Sequence, residues 1–184
     1  MGRFIAYIAS SIDGFIARKD DDISWLDPYN SPDEDYGYAD FLKTVGAAVM
    51  GARTYEQSLL HPERILTGMK TYVLTRRYPR TPGDGTEFWR GSPAALETKI
   101  RKESKKDVYL VGGGQLISRF LDAGLVDELR LFIVPVLLTE GIPLFVNLRQ
   151  EVVLDLAWAV PYASGIVELR YLPAVTAGRA SDSK

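Results

Sequence analysis

Asp107-Val108-Tyr109-Leu110-Val111-Gly112-Gly113-Gly114-Gln115-Leu116-Ile117 is the stretch from which the fold can be read. A short apolar run ends in three glycines, and an amphipathic stretch follows at once. The pattern predicts a buried strand turning sharply into a helix. Glycines there let a ligand approach the backbone, and the helix's free N–H groups and positive dipole end favour a phosphate. A plain strand-to-helix turn also uses glycine, and the spacing departs from the Gly-x-Gly-x-x-Gly dinucleotide fingerprint. The triplet alone therefore does not define a nucleotide site.

Outward from this turn, strand-like and helix-like segments alternate. Phe4 to Ala9 is nearly all apolar, as in a strand covered on both faces. Residues 11–30 carry turn chemistry throughout and read as a long loop. Ser31-Pro32-Asp33-Glu34 predicts an N-cap, a first-turn proline and a capping-box glutamate, hence a helix over 32–44 with Tyr38, Phe41, Leu42 and Val45 as its apolar stripe. Further strands are expected at 47–51 and 71–75, with a helix over 54–60 between them. A short strand at 87–89 and a helix capped by Ser92-Pro93 come next. After the glycine turn and its helix to about 123, closing strands are expected at 128–138, 152–159 and 166–172, and a frayed tail from 173. This order predicts an α/β fold: a mainly parallel sheet with helices on both faces and an antiparallel C-terminal edge. Residues 3–172 form one domain in this reading. Ligands in such sheets sit at the carboxyl ends of strands. The loops at 10–25, 51–54, 75–77 and 112–115 all fall at that edge.

Composition narrows the function classes. With 46% hydrophobic and 25% charged residues, the chain has the balance of an ordinary globular domain. A net charge of −2 gives no electrostatic case for nucleic acid or an anionic membrane. The chain has no cysteine and one histidine, which excludes thiolate chemistry and multi-His metal sites. His61 reads as a structural residue at a helix end. No apolar run reaches membrane-spanning length, and a cytoplasmic protein is expected.

The blocks Ala9-Ser10-Ser11-Ile12-Asp13-Gly14-Phe15-Ile16-Ala17, Trp25, Met50-Gly51-Ala52-Arg53-Thr54-Tyr55-Glu56, Val73-Leu74-Thr75-Arg76 and Val111-Gly112-Gly113-Gly114 resemble, in order and spacing, the dihydrofolate reductase superfamily. Residues 123–129, 135–138 and 141–145 narrow the likeness to the branch of the reductase domain of the riboflavin-biosynthesis deaminase–reductase. The resemblance implies a dihydrofolate reductase-like three-layer fold, a nicotinamide cofactor, usually NADPH, and hydride transfer to a small heterocyclic substrate. It also implies a homodimer. The substrate class it points to is that of 5-amino-6-(5-phosphoribosylamino)uracil reductase, with dihydrofolate reduction, or nucleotide binding without catalysis, as alternatives.

Carried over by position, the resemblance gives Ala9 backbone contacts to the nicotinamide carboxamide and places Ile16 in a mobile loop over the ring. Gly112, Gly113 and Gly114, with the amides of Gln115 and Leu116, would cradle the pyrophosphate, with a cis peptide at Gly112–Gly113. Gly51 and Thr54 would flank the phosphates, and Leu74, Thr75 and Arg76 the adenosine. The arginine usual for the 2′-phosphate is replaced by Ala52, with Arg53 one residue late, so NADH is possible unless Arg53 or Arg76 makes that contact; Arg77 reads as surface. Asp35 is the candidate proton donor, with Asp40 a second; an acidic residue there also simply stabilises a helix start. Trp25 and Tyr38 are assigned to the substrate pocket, with core packing the alternative for Trp25. Asp13 reads as a turn former. Thr139 stands where related chains usually have glycine.

Overall fold

The computed structural model describes residues 2–60, 66, 68–76 and 85–174. The expectations for His61, Arg77 and the tail beyond 174 lie outside these residues.

The opening strand β1 (Phe4–Ser11) is buried because its two faces meet two separate layers. Phe4 and Ala6 join one apolar cluster, with Leu110, Leu116 and Phe120; Ile5 and Tyr7 join another, with Trp25, Phe41 and Tyr109. Both clusters follow from the two-residue period of a strand. Beside β1 lie β6 (Asp107–Gly112) and β7 (Glu128–Val134), both parallel to it. Outward from β6 come β3 (Val45–Gly51), β4 (Lys70–Leu74) and β5 (Thr86–Trp89), also parallel. On the other side β10 (Val167–Pro173) is antiparallel to β7, and β9 (Leu154–Pro161) is antiparallel to β10. The eight-stranded order is β5-β4-β3-β6-β1-β7-β10-β9. The expected parallel sheet with an antiparallel C-terminal edge is the fold observed.

Helix α2 (Ala52–Leu60) follows β3 directly. In α3 (Pro93–Glu103) the Ser92 side chain accepts from the Ala95 amide, as the Ser-Pro pair predicted. Helix α4 (Gly114–Asp122) buries Leu116, Ile117, Phe120 and Leu121 along one stripe. Each such side chain contributes about 1.5–3 kcal/mol, which fixes the glycine turn against the sheet.

Three expectations need correction. The helix over 32–44 is reduced to α1 (Tyr38–Thr44). Ser31, Glu34 and Asp35 each accept from an amide two residues on, which competes with helix formation, and Tyr36 and Gly37 take left-handed φ of 55° and 76°. Second, 11–30 is not all loop. It holds β2 (Phe15–Ala17), paired with β8 (Ile142–Pro143), and a 3₁₀ turn over Ser24–Tyr29. Third, the strand expected to reach 138 ends at Val134, because Pro135 has no amide to donate. Beyond it the Asp13 carboxylate accepts from the amides of Leu138 (3.1 Å) and Thr139 (2.7 Å), so Asp13 does more than form a turn. Thr139 has φ of 65°, a left-handed conformation that favours glycine.

Candidate active site

The central strands part at the edge where ligands are expected. Pairing between β1 and β6 ends at Ala6 opposite Leu110, whereas β1 and β7 stay paired as far as Ser11 opposite Val134. The gap so opened forms part of a cleft of about 2620 Å³, larger than the roughly 300–1,000 Å³ of a pocket for one small ligand. It has room for a dinucleotide and a second molecule. In the gap the Tyr7 carbonyl accepts from the Tyr109 hydroxyl at 3.2 Å. Ala9, two residues on, directs its backbone groups to the same side, and it lines the cleft.

The three glycines are glycine for three different reasons. Gly112 has φ of 117°, which L side chains rarely adopt. A Cβ on Gly114 would lie 2.3 Å from the Pro143 carbonyl oxygen and 2.6 Å from that of Leu144, so it must be bare for β8 to pack. Gly113 has no such internal reason. Within 4 Å, its Cβ would meet only Ile16 Cδ1 at 3.5 Å and Thr54 Oγ1 at 3.7 Å. Its surface therefore faces the cleft between β2 and the start of α2. A cis peptide joins Gly112 to Gly113.

The N-cap of α4 is Gly113, which has no side chain with which to cap it. The amides of Gly114 and Gln115, the first two of the helix, have no intrahelical acceptor and lie at the cleft wall. The Leu116 amide, expected to be free, donates to the Gly113 carbonyl at 2.9 Å. Gly51, Thr54, Leu74, Thr75, Arg76 and Ile16 line the same cleft. Ile16 is held in the β2–β8 pair rather than on a free loop. Arg53 is tied to the first long segment, its Nε 2.6 Å from Asp21 and its guanidinium also donating to the Lys19 carbonyl. Arg76 is exposed and has no ion pair among the described residues.

The substrate-side assignments divide. Tyr38 lines the cleft; Trp25 is buried in the cluster behind it, and its Nε1–H has no acceptor among the described residues. Asp35 lies before α1, exposed, accepting from the amides of Ala39 and Gly37 at 2.9 Å each. These bonds hold its carboxyl below the usual carboxylate range, so it is kept ionised as a helix cap. Asp40 is exposed and paired with Lys43 at 2.6 Å. Neither matches a buried acid. Among the described residues the buried carboxylates are Glu128 and Glu168, on β7 and β10, paired with Arg130 and Arg170.

Two parts of the cleft were not found from sequence. Trp89, Arg90 and Gly91 line it because β5 is parallel to β4 and ends at the same edge, which the expected strand at 87–89 already implied. Tyr7, Tyr36, Tyr109 and Phe132 form an aromatic wall. Alternation along β1 and β6 could have signalled Tyr7 and Tyr109.

Known proteins agree with this architecture. A model of the RibD C-terminal domain family matches residues 91–167. The uncharacterized protein YwjB of Bacillus subtilis is 32% identical over 171 residues, covering 92% of this chain and 97% of its own. A solved protein from Shewanella sp. PV-4, assigned provisionally to riboflavin biosynthesis, superposes with a TM-score of 0.85 at 24% identity, covering 93% and 98%. Dihydrofolate reductase from Enterococcus faecalis, solved with NADP(H), superposes at 0.65 with 19% identity, covering 94% and 96%. The fold is thus dihydrofolate reductase-like. Within that class, the chain belongs to the RibD C-terminal domain family.

Proposed function

We propose that this protein is an NADPH-dependent reductase of a small planar heterocycle. The observation that carries the reading is the open face of Gly113, set between Ile16 and Thr54 at the uncapped start of α4. The residues fit a dinucleotide. The amides of Gly114 and Gln115 would hold its diphosphate, and Thr54 would add a hydroxyl donor. Leu74 and Thr75 would flank the adenosine, with Arg76 as the cation for a 2′-phosphate in place of Arg53, which Asp21 already occupies.

When bound, a reduced nicotinamide supplies a hydride. The backbone of Ala9 would orient its carboxamide, and Ile16 on β2 would exclude water from the ring. Burial holds the hydroxyls of Tyr38 and Tyr109 above the ordinary phenol value, so both stay protonated and bring no negative charge to the cleft. Asp35 is not given the proton, since two amides stabilise its ionised form. Membership of the RibD C-terminal domain family supports a ribosylaminopyrimidine-type substrate in this reading, which also assigns the protein to the cytoplasm.

Titration with NADPH and NADH, followed by the fluorescence of the three tryptophans, tests the reading. Saturable binding with NADPH preferred supports it; no binding of either refutes it. A second copy of the chain is assigned to the edge strand β9, where Leu156 and Trp158 are 56% and 57% exposed although the strand is apolar.

A further inference from the structure

The reductase reading, on which this step rests, leaves Arg53 without a part in nucleotide binding. Arg53 lies in the first turn of α2, at the positive end of the helix dipole, and that turn holds no acidic residue. A cation there is unfavourable unless an anion meets it. Asp21 supplies the anion from a separate part of the chain. Its two carboxylate oxygens lie 2.6 Å and 2.8 Å from Arg53 Nε, and the Gln57 side chain donates to it at 3.4 Å. The Asp21 side chain is 17% exposed against 60% for Arg53, so the acid is the better enclosed partner.

The turn that carries Asp21 follows β2 directly. The Arg18 amide donates to the Asp22 carbonyl at 2.9 Å, and the Asp21 amide donates to the Arg18 carbonyl at 3.1 Å. Asp21 has φ of 70°, a left-handed conformation that favours glycine, so what aspartate adds at this position is its charge. Other charges of the turn are matched elsewhere, Arg18 with Asp22 and Lys19 with Glu140. The Asp21–Arg53 pair thereby joins the two elements that flank the phosphate seat. Gly113 faces Ile16 on β2 and Thr54 on α2, and Asp21 and Arg53 line the same cleft.

We infer that Asp21 is a built-in competitor anion that sets the strength of dinucleotide binding: it holds Arg53, and a nucleotide phosphate gains that cation only by displacing it. The diphosphate and a 2′-phosphate offer the same oxyanion chemistry to the guanidinium.

The test is titration of the full chain and its variants with NADPH and NADH by tryptophan fluorescence. Asp21→Asn should tighten nucleotide binding by roughly threefold or more, the scale of one exposed ion pair, while circular dichroism stays native. Equal gains for both nucleotides assign Arg53 to the diphosphate; a gain for NADPH alone assigns it to the 2′-phosphate. The gain should vanish in Asp21→Asn with Arg53→Ala, because it passes through Arg53. Asp20→Asn, which removes the same charge one residue away, should give no gain. Asp21→Gly, whose backbone suits the left-handed turn, repeats the test if asparagine disturbs the fold. Inorganic pyrophosphate, followed by phosphorus NMR, is a probe that needs no nicotinamide, and it too should bind Asp21→Asn more tightly. Unchanged or weaker binding in both Asp21 variants, a gain that survives Arg53→Ala, or an equal gain in Asp20→Asn overturns the inference and leaves the reductase reading standing. Tighter pyrophosphate binding in Asp21→Asn with neither nucleotide bound by any chain would instead sink the reductase reading alone.

Discussion

Alanine at Gly113 and alanine at Gly114 should have opposite consequences, although the two positions are adjacent. At Gly113 the backbone has φ of −73° and ψ of −164°, which alanine adopts without strain. Its methyl group would meet Ile16 and Thr54 at ordinary contact distance, so stability should change by less than about 1 kcal/mol. The same methyl would stand where a diphosphate must approach the amides of Gly114 and Gln115. NADPH affinity should fall by about tenfold or more, some 1.4 kcal/mol. At Gly114 the methyl carbon would lie 2.3 Å and 2.6 Å from two carbonyl oxygens of β8 and the residue after it. Backbone must move, at a cost of roughly 1–3 kcal/mol. Alanine's better helix propensity, about 1 kcal/mol, does not offset it. Urea unfolding and fluorescence titration of NADPH on both variants separate the two roles. Wild-type affinity in Gly113→Ala, or equal destabilisation by both changes, would refute the reasoning.

Other outcomes follow from the same geometry. Arg76→Ala should weaken NADPH about tenfold and leave NADH unchanged, with the difference shrinking as salt rises; equal loss of both nucleotides in calorimetry would remove Arg76 from the 2′-phosphate. Asp13, whose carboxyl is held low by the Ser11 hydroxyl and by the amides of Leu138 and Thr139, should clamp its two loops at neutral pH. Because its folded value is depressed, the clamp is fully present above the unfolded carboxylate value and is lost as pH falls through the folded one. Amide exchange at Leu138 and Thr139 should therefore lose protection only in acid, beyond the intrinsic pH trend; protection that follows that trend alone would count against the clamp. Trp158→Glu should turn a dimer into a monomer in light scattering, and a wild-type monomer would remove β9 as the interface.

How far the sequence could be read depends on which forces act locally. Strands such as Phe4–Ser11 and Asp107–Gly112 are apolar on both faces, and burial alone dictates them. The glycine triplet was legible for the same reason, since a bare backbone at the end of a buried strand admits few explanations. The segment from Ser31 to Gly37 was not. Its capping residues fit a helix start, yet the same side chains bond amides two residues on and turn the chain instead. Asp35 was misplaced with that helix, so a candidate acid became a cap. Which amides at the start of α4 stay free depends on where the first helical hydrogen bond closes, at Leu116, and spacing does not reveal that. The aromatic wall draws on four distant segments, and only the sheet's register assembles it.

Backbone amide chemical shifts recorded while NADPH is added probe the central claim most directly. The largest displacements should fall on Gly113, Gly114 and Gln115, with Ala9 and Thr54 next. A titration that saturates while these amides stay still would place the nucleotide elsewhere and contradict the account.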